Sequence, residues 1–437
     1  MTLPAKFVER VLRDLGETEG AALCAALDAE PPVSVRLNPA KTGAETVSAG
    51  PDAGLPVPEA AGLPALAIAG RVPWSRDGRY LAVRPSFTLD PDFHAGAYYV
   101  QEASSQFVGH LLAAVRTEGA RILDLCAAPG GKTTLYASLA GPDGLVVANE
   151  IDRRRASVLA DNVRKWGTGR DARGEWSEGN VKQCAARQDE ILREAWRALR
   201  PGGTLVYSTC TFNRDEDEGA LERMAAWAGD EIAESEETAV EDAWGIVCGR
   251  VGAFRTFRFY PHRTCGEGFF AAVARKSFDA GGRVRAPKAR RTVFAAVDRK
   301  TAGELARWVR NPGGMHFAAV ADTCYAWYAA QADAVRTLSE ALPVIYSGVA
   351  LGQVFKGVLK PDPALAFFDG LNRGALPAAE LDDEETLRFL RRQDIAAGGL
   401  AEGMNLVCSR GRALGFAKRI GARVNNLYPN SLRIIKQ

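Results

Sequence analysis

Long apolar runs are missing from this sequence. No stretch of about 18 residues is both apolar and free of charge, so we expect no membrane-spanning helix. The N-terminal stretch MTLPAKFVERVLRDLGE mixes charged and apolar residues at helical spacing, and it lacks the apolar centre of a signal peptide. Paired cysteines are missing too. Eight cysteines are scattered without a Cys-x-x-Cys pair, which argues against a metal site and a disulfide framework and suits a reducing cytoplasm.

A large excess of one charge is also missing, because the net charge of the 437 residues is only +2. The charges are nevertheless unevenly distributed. Residues 283–300 contain seven Lys or Arg and one acidic residue, and residues 410–437 contain seven Lys or Arg and no acidic residue. Such a stretch is either a footprint for nucleic acid or an ordinary solvated surface, and composition leaves both interpretations open.

The pattern of apolar residues divides the chain into three folded parts and a linker. Alternating strand and helix patterns predict an α/β sheet in the second part, and short apolar–basic alternation near the C-terminus predicts a β-rich module. The predicted units are an N-terminal α+β domain at 1–95, an α/β domain at 96–277, a basic linker at 278–300 and a C-terminal region at 301–437.

The stretch RILDLCAAPGGKTT predicts a buried strand, a glycine-rich turn and the start of a helix. Gly130 and Gly131 permit positive φ and let a ligand approach the backbone closely. The spacing fits neither the P-loop motif nor the Gly-x-Gly-x-x-Gly motif. The turn is then either purely structural or a ligand site, because open α/β sheets bind ligands at the carboxyl ends of their strands.

The next predicted strand, in LVVANEID, ends in an acidic residue, Glu150. In doubly wound folds an acid at this place accepts hydrogen bonds from ribose hydroxyls. Together with the glycine turn, it indicates a nucleoside-like ligand. The competing interpretation is that Glu150 only caps the following helix, for which Asp152 is the predicted N-cap.

The third chemical signal is Cys210 in TLVYSTCTFN, at the exit of a predicted strand. A cysteine there either packs in the core or faces the ligand crevice beside the glycine turn. All four histidines are distant in sequence, which disfavours a Cys-His hydrolase. A thiolate beside a methyl donor suggests instead an addition to carbon 6 of a pyrimidine, which makes carbon 5 nucleophilic.

Five stretches in a fixed order carry a family signature. They are AGAYYVQEASSQ, DLCAAPGGKTT, NEIDRRRASVLADN, YSTCTFNRDEDE and PHRTCGEGFF. Together they resemble the Sun/Fmu-type RNA cytosine-5 methyltransferases, and within them the bacterial 16S rRNA branch. The resemblance covers nearly the whole chain. It implies an α/β, Rossmann-like class I S-adenosylmethionine methyltransferase domain, a C-terminal PUA-like RNA-binding module, and 16S rRNA or the small ribosomal subunit as the partner.

The same resemblance implies roles for individual residues. Cys210 would be the nucleophile. S-adenosyl-L-methionine would be held by Glu150 and by the turn, that is by Cys126, Ala127, Ala128, Pro129, Gly130, Gly131 and Lys132. The candidates for RNA contact in the C-terminal tail are Arg412, Lys418, Arg419, Arg423 and Tyr428.

One motif that the resemblance leads us to expect is missing. The family carries Asp-Ala-Pro-Cys-Ser-Gly before the nucleophile, with an aspartate that holds the cytosine and a cysteine that helps release the product. Between Glu150 and Cys210 there are only two helices and a polar connector, without room for further βαβ units of ~30 residues each. One or two central strands are therefore predicted to be missing, through an internal deletion, a sequencing or gene-model error, or a deliberate shortening.

The missing motif leaves an alternative function open, that of a catalytically impaired remnant that binds RNA or the cofactor. Cys184 is a conceivable substitute for the missing cysteine. It lies within a helical pattern on a predicted packing face, however, and we expect it to be a core residue.

Overall fold

The computed structural model describes residues 3–42, 63–115, 117–166, 178–279 and 293–435. The first part is an antiparallel sheet flanked by helices, and the helical spacing of the N-terminal stretch corresponds to a helix there. The elements are α1 (Ala5–Leu15), α2 (Glu17–Asp28), β1 (Val33–Leu37), α3 (Pro39–Thr42), β2 (Ile68–Arg71), β3 (Gly78–Leu81), α4 (Pro91–His94) and β4 (Tyr98–Val100). The strand order is β2-β3-β1-β4, so β1 is a central strand.

The second part carries the α/β elements. They are α5 (Phe107–Ala113), β5 (Arg121–Asp124), α6 (Gly131–Ala140), β6 (Leu145–Ala148), α7 (Arg153–Lys165), α8 (Glu178–Ala198), β7 (Thr204–Thr209), α9 (Glu218–Ala228), β8 (Ile232–Ala233), β9 (Val247–Val251), β10 (Phe254–Phe259) and β11 (Phe269–Lys276). The strands form two sheets. β5 and β6 pair in parallel, and the others form an antiparallel sheet in the order β7-β11-β10-β9, with β8 beside β11.

The two sheets are separated by a break between β5 and β7. Among the described strands, β5 pairs only with β6, and β7 pairs only with β11. Leu123 in β5 is 46% exposed, whereas Ile122 and Val206 pack on one shared apolar cluster. The two sheets therefore share a core on one face but lack a hydrogen-bonded ladder between them. This arrangement agrees with the predicted loss of central strands, and the connector at 167–177 lies outside the described residues.

The third part contains two small sheets. The elements are β12 (Ala295–Ala296), α10 (Arg299–Ala306), β13 (Met315–Val320), β14 (Thr323–Tyr328), α11 (Ala332–Ala341), β15 (Val349–Phe355), β16 (Val358–Pro361), α12 (Pro363–Phe367), β17 (Ala378–Glu380), α13 (Asp383–Leu390), β18 (Gly403–Ser409), β19 (Arg412–Ile420) and β20 (Arg423–Asn426). Strands β12 to β16 are paired in sequence order, and β17 to β20 form the predicted β-rich module. Residues 280–292 of the predicted linker lie outside the described residues, and α10 begins within its predicted range. No helix in the described ranges is long and apolar enough to cross a membrane.

The C-terminal module docks on the first part of the chain through buried charges. Arg410 Nη1 donates to Asp92 Oδ2 at 2.9 Å, and Arg412 Nη1 donates to Asp92 Oδ1 at 2.7 Å. The Asp92 side chain is 1% exposed, so the two guanidinium groups compensate a carboxylate that has left water. Beside this cluster, the hydroxyl of Tyr428 lies 3.4 Å from His94 Nδ1. These contacts hold the module against the domain that contains β1.

Candidate active site

The glycine turn between β5 and α6 uses its two glycines differently. Gly130 has a φ of +115°, which side chains of L-residues rarely adopt, and a Cβ there would lie 3.2 Å from the side chain of Leu159. Gly131 does not use this freedom, because its φ is not positive. It is the first residue of α6, and a Cβ there would lie 3.4 Å from the Tyr99 ring. The turn therefore needs a special conformation at Gly130 and close packing at Gly131.

Side chains of α7 hold the carbonyl groups of this turn. Arg155 Nη2 donates to the Ala128 carbonyl oxygen at 2.9 Å, and Asn162 Nδ2 donates to the Pro129 carbonyl oxygen at 2.8 Å. The start of α7 is in turn fixed by the predicted cap, because the Asp152 carboxylate accepts hydrogen bonds from two backbone N–H groups of the first turn. The turn is therefore held in one conformation without a ligand.

Arg36 in β1 holds the same turn from the N-terminal sheet. It is fully buried, and its guanidinium donates to the Gly131 carbonyl oxygen at 3.2 Å, to Thr134 Oγ1 at 2.6 Å and to Gln101 Oε1 at 2.8 Å. It also lies over the Trp166 ring, 4.2 Å from the centroid. Burial lowers the pKa of Arg36 to about 9. No sequence motif indicates this residue, although an arginine within the otherwise apolar and small strand VSVRL is a usable signal.

Glu150 follows β6 and lies beside the turn, with its side chain only 4% exposed. Its Oε1 accepts a hydrogen bond from the Asp152 N–H at 3.1 Å, and its Oε2 lies 3.5 Å from Arg155 Nη1. The Ala127 N–H donates to the Asn149 carbonyl oxygen at 3.0 Å, which ties the end of β6 to the turn. The carboxylate thus supports the chain before α7, as the competing interpretation proposed, at the place where a ribose acid is expected.

The residues at this edge could hold S-adenosylmethionine. Gly130 and Gly131 carry no side chain, so the turn can pack closely on Leu159 and Tyr99 and leave its backbone groups near a ligand. The backbone N–H groups at the start of α6 can receive a carboxylate, because the N-terminus of a helix attracts anions. Glu150 adds an acceptor for hydroxyl groups. This donor and acceptor set fits a ligand with an amino-acid part and a ribose.

Cys210 directly follows β7 and is exposed, so its thiol is not sealed in the core. The walls of the crevice nevertheless desolvate the sulfur, which raises the pKa of Cys210. The ammonium of Lys132, in the glycine turn, opposes this effect, whereas Glu102 and Glu267 reinforce it. Lys132 also opposes the raised pKa of Cys126, which burial causes. The thiol and the turn are therefore within electrostatic range of each other.

The two threonines that flank Cys210 share one acceptor, the carboxylate of Asp217. Thr209 Oγ1 donates to Asp217 Oδ1 at 2.5 Å, and Thr211 Oγ1 donates to the same oxygen at 3.3 Å. Arg258 in β10 donates from Nη1 to Asp217 Oδ2 at 2.8 Å. Burial raises the pKa of Asp217 to about 7, and Arg258 opposes the rise. The two threonine hydroxyls therefore anchor the loop around Cys210 to Asp217.

Asn213 is a residue type that caps helices and residues 215–218 are acidic, so the sequence predicts a helix that follows Asn213, but α9 begins later, at Glu218. Asn213 does not cap it. Its Oδ1 accepts a hydrogen bond from the Glu216 N–H at 2.9 Å and closes a turn before the helix. Asp217, with φ −98° and ψ −100°, is also outside the helix, because its carboxylate is bound to Thr209 and Arg258.

The closing motif PHRTCGEGFF packs against the Cys210 loop. Gly268 has a φ of +105°, and a Cβ there would lie 2.2 Å from the ring of Phe212, which stacks on Tyr260. Glu102 accepts a hydrogen bond from the Glu267 N–H at 3.0 Å, so the segment AGAYYVQEASSQ is tied to the closing motif. The signature stretches therefore meet around the thiol.

Three predictions about individual side chains are wrong. Cys184 is exposed rather than packed in the core. Tyr428 is fully buried in the core of the C-terminal module, which removes it from the RNA candidates. Arg412 holds Asp92 instead of facing solvent.

The remaining basic candidates differ in their surroundings. Arg419 Nη1 donates to the Leu400 carbonyl oxygen at 2.6 Å, which points to a structural role. Lys418 and Arg423 are exposed on neighbouring strands, β19 and β20.

Three family models match the chain. The model for the 16S rRNA methyltransferase RsmB/F matches residues 111–171 and 167–275. The model for the N-terminal domain of 16S rRNA methyltransferase RsmF matches residues 3–103, and the model for the methyltransferase RsmF PUA domain matches residues 377–434. The two segments of the first match meet at 167–171, where the sequence predicts the gap. The deletion itself stays a prediction.

Curated relatives and a solved structure extend these matches. The ribosomal RNA small subunit methyltransferase F of Shewanella loihica is 27% identical over 417 residues, which cover 83% of each chain. That of Erwinia tasmaniensis is 28% identical over 421 residues, with 83% of this chain and 84% of the relative covered. The crystal structure of PH0851 is 23% identical, covers 62% of this chain and 66% of its own, and has a TM-score of 0.50, which shows a shared fold.

The three models account for the N-terminal, catalytic and C-terminal parts in their expected order. The predicted fold class, an S-adenosylmethionine-dependent methyltransferase domain with a C-terminal PUA module, is confirmed. The chain belongs to the RsmB/F family of 16S rRNA methyltransferases, whose methyl donor is S-adenosylmethionine.

Proposed function

We propose that this protein transfers a methyl group from S-adenosylmethionine to carbon 5 of a cytosine in small-subunit rRNA, through a covalent adduct at Cys210. The observation that carries the proposal is the position of this thiol. It is exposed at the end of β7, anchored on both sides, and within electrostatic range of Lys132 in the glycine turn. A core cysteine would show none of these features.

We assign the cofactor to residues 126–132 and Glu150. When bound, S-adenosylmethionine supplies an electrophilic methyl group at this edge of the sheet. The positive φ of Gly130 shapes the turn at the start of α6, and Glu150 would accept hydrogen bonds from the ribose. Arg36 and α7 keep the turn in this conformation before the ligand arrives.

The chemistry of the thiol follows from its surroundings. The Cys210 thiol must lose its proton, and Lys132 favours the thiolate. The thiolate would then add to carbon 6 of the cytosine, and the electron pair of the 5,6 double bond would form the bond from carbon 5 to the methyl group while the bond from that methyl group to the sulfonium breaks and leaves S-adenosylhomocysteine. Transfer of the carbon 5 proton to a base would restore the double bond and expel Cys210 as the thiolate. Without the family's release cysteine, this last step is expected to be slow.

The RNA is proposed to contact the C-terminal module at Lys418 and Arg423. Both side chains are exposed on adjacent strands, and the neighbouring Arg412 and Arg419 are engaged within the protein. Exposed cations on one surface are suited to phosphate contacts.

The test is transfer of a labelled methyl group to unmodified small-subunit rRNA by the full chain. Cys210→Ala should abolish transfer, and Cys184→Ala, another exposed cysteine, is the matched control. Wild-type protein should also accumulate a denaturant-stable adduct with RNA that Cys210→Ala does not form. Methyl transfer that persists in Cys210→Ala would refute the mechanism.

A second candidate function is favoured by the break between β5 and β7. A remnant that has lost the central strands would bind the cofactor and RNA without turnover. In that case wild-type protein binds both ligands but transfers no methyl group under any condition. Robust transfer by the purified chain excludes this alternative.

A further inference from the structure

Both neighbours of Cys210 are held by one carboxylate. Thr209 ends β7 and the chain bends at Cys210, so the alternation of strand side chains stops there. The hydroxyls of Thr209 and Thr211 both reach one oxygen of Asp217. Fixing both neighbours to one acceptor limits the directions in which the Cys210 side chain can point.

The acceptor that holds both threonines is itself rigidly placed. Asp217 is 0% exposed, and its second oxygen receives a hydrogen bond from Arg258 at 2.8 Å. Arg258 also donates from Nη2 to both carboxylate oxygens of Glu218 at 2.7 Å, and its guanidinium lies 4.7 Å from the centroid of the Phe270 ring. Strand β10, which carries Arg258, is paired with a neighbouring strand on both edges and is therefore rigid. The hydrogen bond from Arg258 fixes the Asp217 carboxylate to this strand.

A buried carboxylate of this kind is costly for stability alone. An ion pair that has left water is commonly replaced by apolar side chains without loss of stability. The carboxylate of Asp217 also binds both neighbours of the candidate nucleophile. Its position thus affects where the sulfur points.

We propose that Asp217 is a positioning residue for the nucleophile, acting through Thr209 and Thr211 to aim the Cys210 sulfur into the crevice. This inference rests on the proposed function and deepens it. Asp217 touches neither substrate nor cofactor in this role. Without the two hydroxyl groups the bend at Cys210 loses its side-chain anchors, although Thr209 stays paired with Phe270 in the sheet, and the sulfur can then leave its line of approach to the base.

The test uses the threonines, because a change at Asp217 would leave Arg258 buried without its partner and could unfold the protein. Thr209→Val, Thr211→Val and the double variant keep the shape of the side chain and remove the hydroxyl. The corresponding serine variants keep the hydroxyl. Thr386→Val is the matched control, since Thr386 is buried in α13 and its hydroxyl has no hydrogen-bond partner among the described residues.

The first measurement needs neither RNA nor cofactor. Iodoacetamide labelling of each cysteine, read by mass spectrometry, should be at least about threefold faster at Cys210 in the double valine variant, because a thiol that leaves the desolvated crevice ionises more easily. Cys324 and Cys408 are buried and should stay protected. The serine variants and Thr386→Val should label like the wild type.

The second measurement is methyl transfer. We expect the double valine variant to react about tenfold to a hundredfold more slowly with unchanged affinity for S-adenosylmethionine, since misplacement of a reacting group by about 1 Å has effects of this size. The serine variants should restore the rate. Unchanged labelling of Cys210 in the double valine variant would overturn the inference. So would labelling of Cys324 and Cys408 together with Cys210, which would mean a loss of fold. If the wild type transfers no methyl group, the proposed function fails, and the labelling still decides whether the threonines place the thiol.

Discussion

Arg36 Nη2 lies 3.2 Å from the carbonyl oxygen of Gly131, so an arginine of the N-terminal sheet supports the first residue of α6. The two residues belong to different predicted domains. Their contact means that the N-terminal domain contributes directly to the shape of the proposed cofactor site.

Replacement of Arg36 should therefore weaken cofactor binding. Arg36→Met removes hydrogen bonds from a charged donor to the turn, each worth about 1.5–3 kcal/mol, so we expect at least a tenfold loss of affinity for S-adenosylmethionine by calorimetry. Arg197→Met is the control, because Arg197 is exposed and pairs with Glu194 on the surface of α8. Unaltered affinity in a folded Arg36→Met protein would contradict the role of Arg36.

The docking of the C-terminal module should depend on Asp92. Asp92→Asn removes the buried carboxylate that Arg412 and Arg410 share, although Arg410 keeps Asp90 and Asp383, and breaking a buried pair costs about 3–5 kcal/mol. We expect a lower midpoint in urea unfolding, and easier proteolysis between the module and the rest of the chain. Asp333→Asn, which breaks a surface pair with Arg336, should leave both measurements unchanged. An equal effect of the two variants would show that the buried cluster has no special role.

Acid should weaken the protein through His94. Burial lowers the pKa of His94 from its ordinary value of 6.5 to about 4. A group with a lowered pKa in the folded state contributes its stability above the unfolded pKa and loses it as the pH falls through the folded pKa. The free energy of unfolding should thus fall between pH 6.5 and 4.

The His94 contribution can be isolated with two variants. His94→Gln should reduce the dependence on pH in this window, whereas His316→Gln, at an exposed site, should retain the wild-type dependence. Urea unfolding at pH 7 and pH 5 provides the measurement. The groups near His94 that bear on the result are Lys165, the Thr88 carbonyl and Tyr428. If the free energy of unfolding changes with pH equally in wild type and His94→Gln, His94 is not the group responsible.

RNA affinity should depend on Lys418 and Arg423. Each Ala variant should weaken binding of an rRNA fragment and reduce the slope of log affinity against log salt by about 0.7–0.9 for each phosphate that the variant no longer neutralises. Arg250→Ala is the matched control, because Arg250 is exposed and pairs with Glu234 far along the chain from the C-terminal module. A salt slope that stays the same in the Lys418 and Arg423 variants would place the RNA elsewhere.

Much of the site could be predicted from local patterns. The turn after β5, the acid after β6 and the thiol after β7 each follow a short apolar run that forms a strand, and strand exits can be read from such runs. The predicted cap at Asp152 is confirmed for the same reason, since a cap and its N–H donors are adjacent in sequence. The segment between Glu150 and Cys210 is too short for further βαβ units, so a gap in the sheet is expected from the sequence. The structure shows a break between β5 and β7.

Side-chain partners that are distant in sequence could not be predicted. Tyr428 and Arg412 suited an RNA surface by composition, yet one packs in a core and the other binds Asp92. Cys184 matched a packing pattern and is exposed. Periodicity states which face of an element is apolar, but it does not state which other element covers that face.

The order of strands and helices, the family resemblance and the residue types at three strand exits can be read from the amino-acid sequence, because they depend on neighbours along the chain. The support of Gly131 by Arg36 and the binding of Thr209 and Thr211 to Asp217 are visible only in the folded protein. Those contacts join segments that approach each other only after the sheets have packed, and the burial that makes them strong exists only in the folded protein.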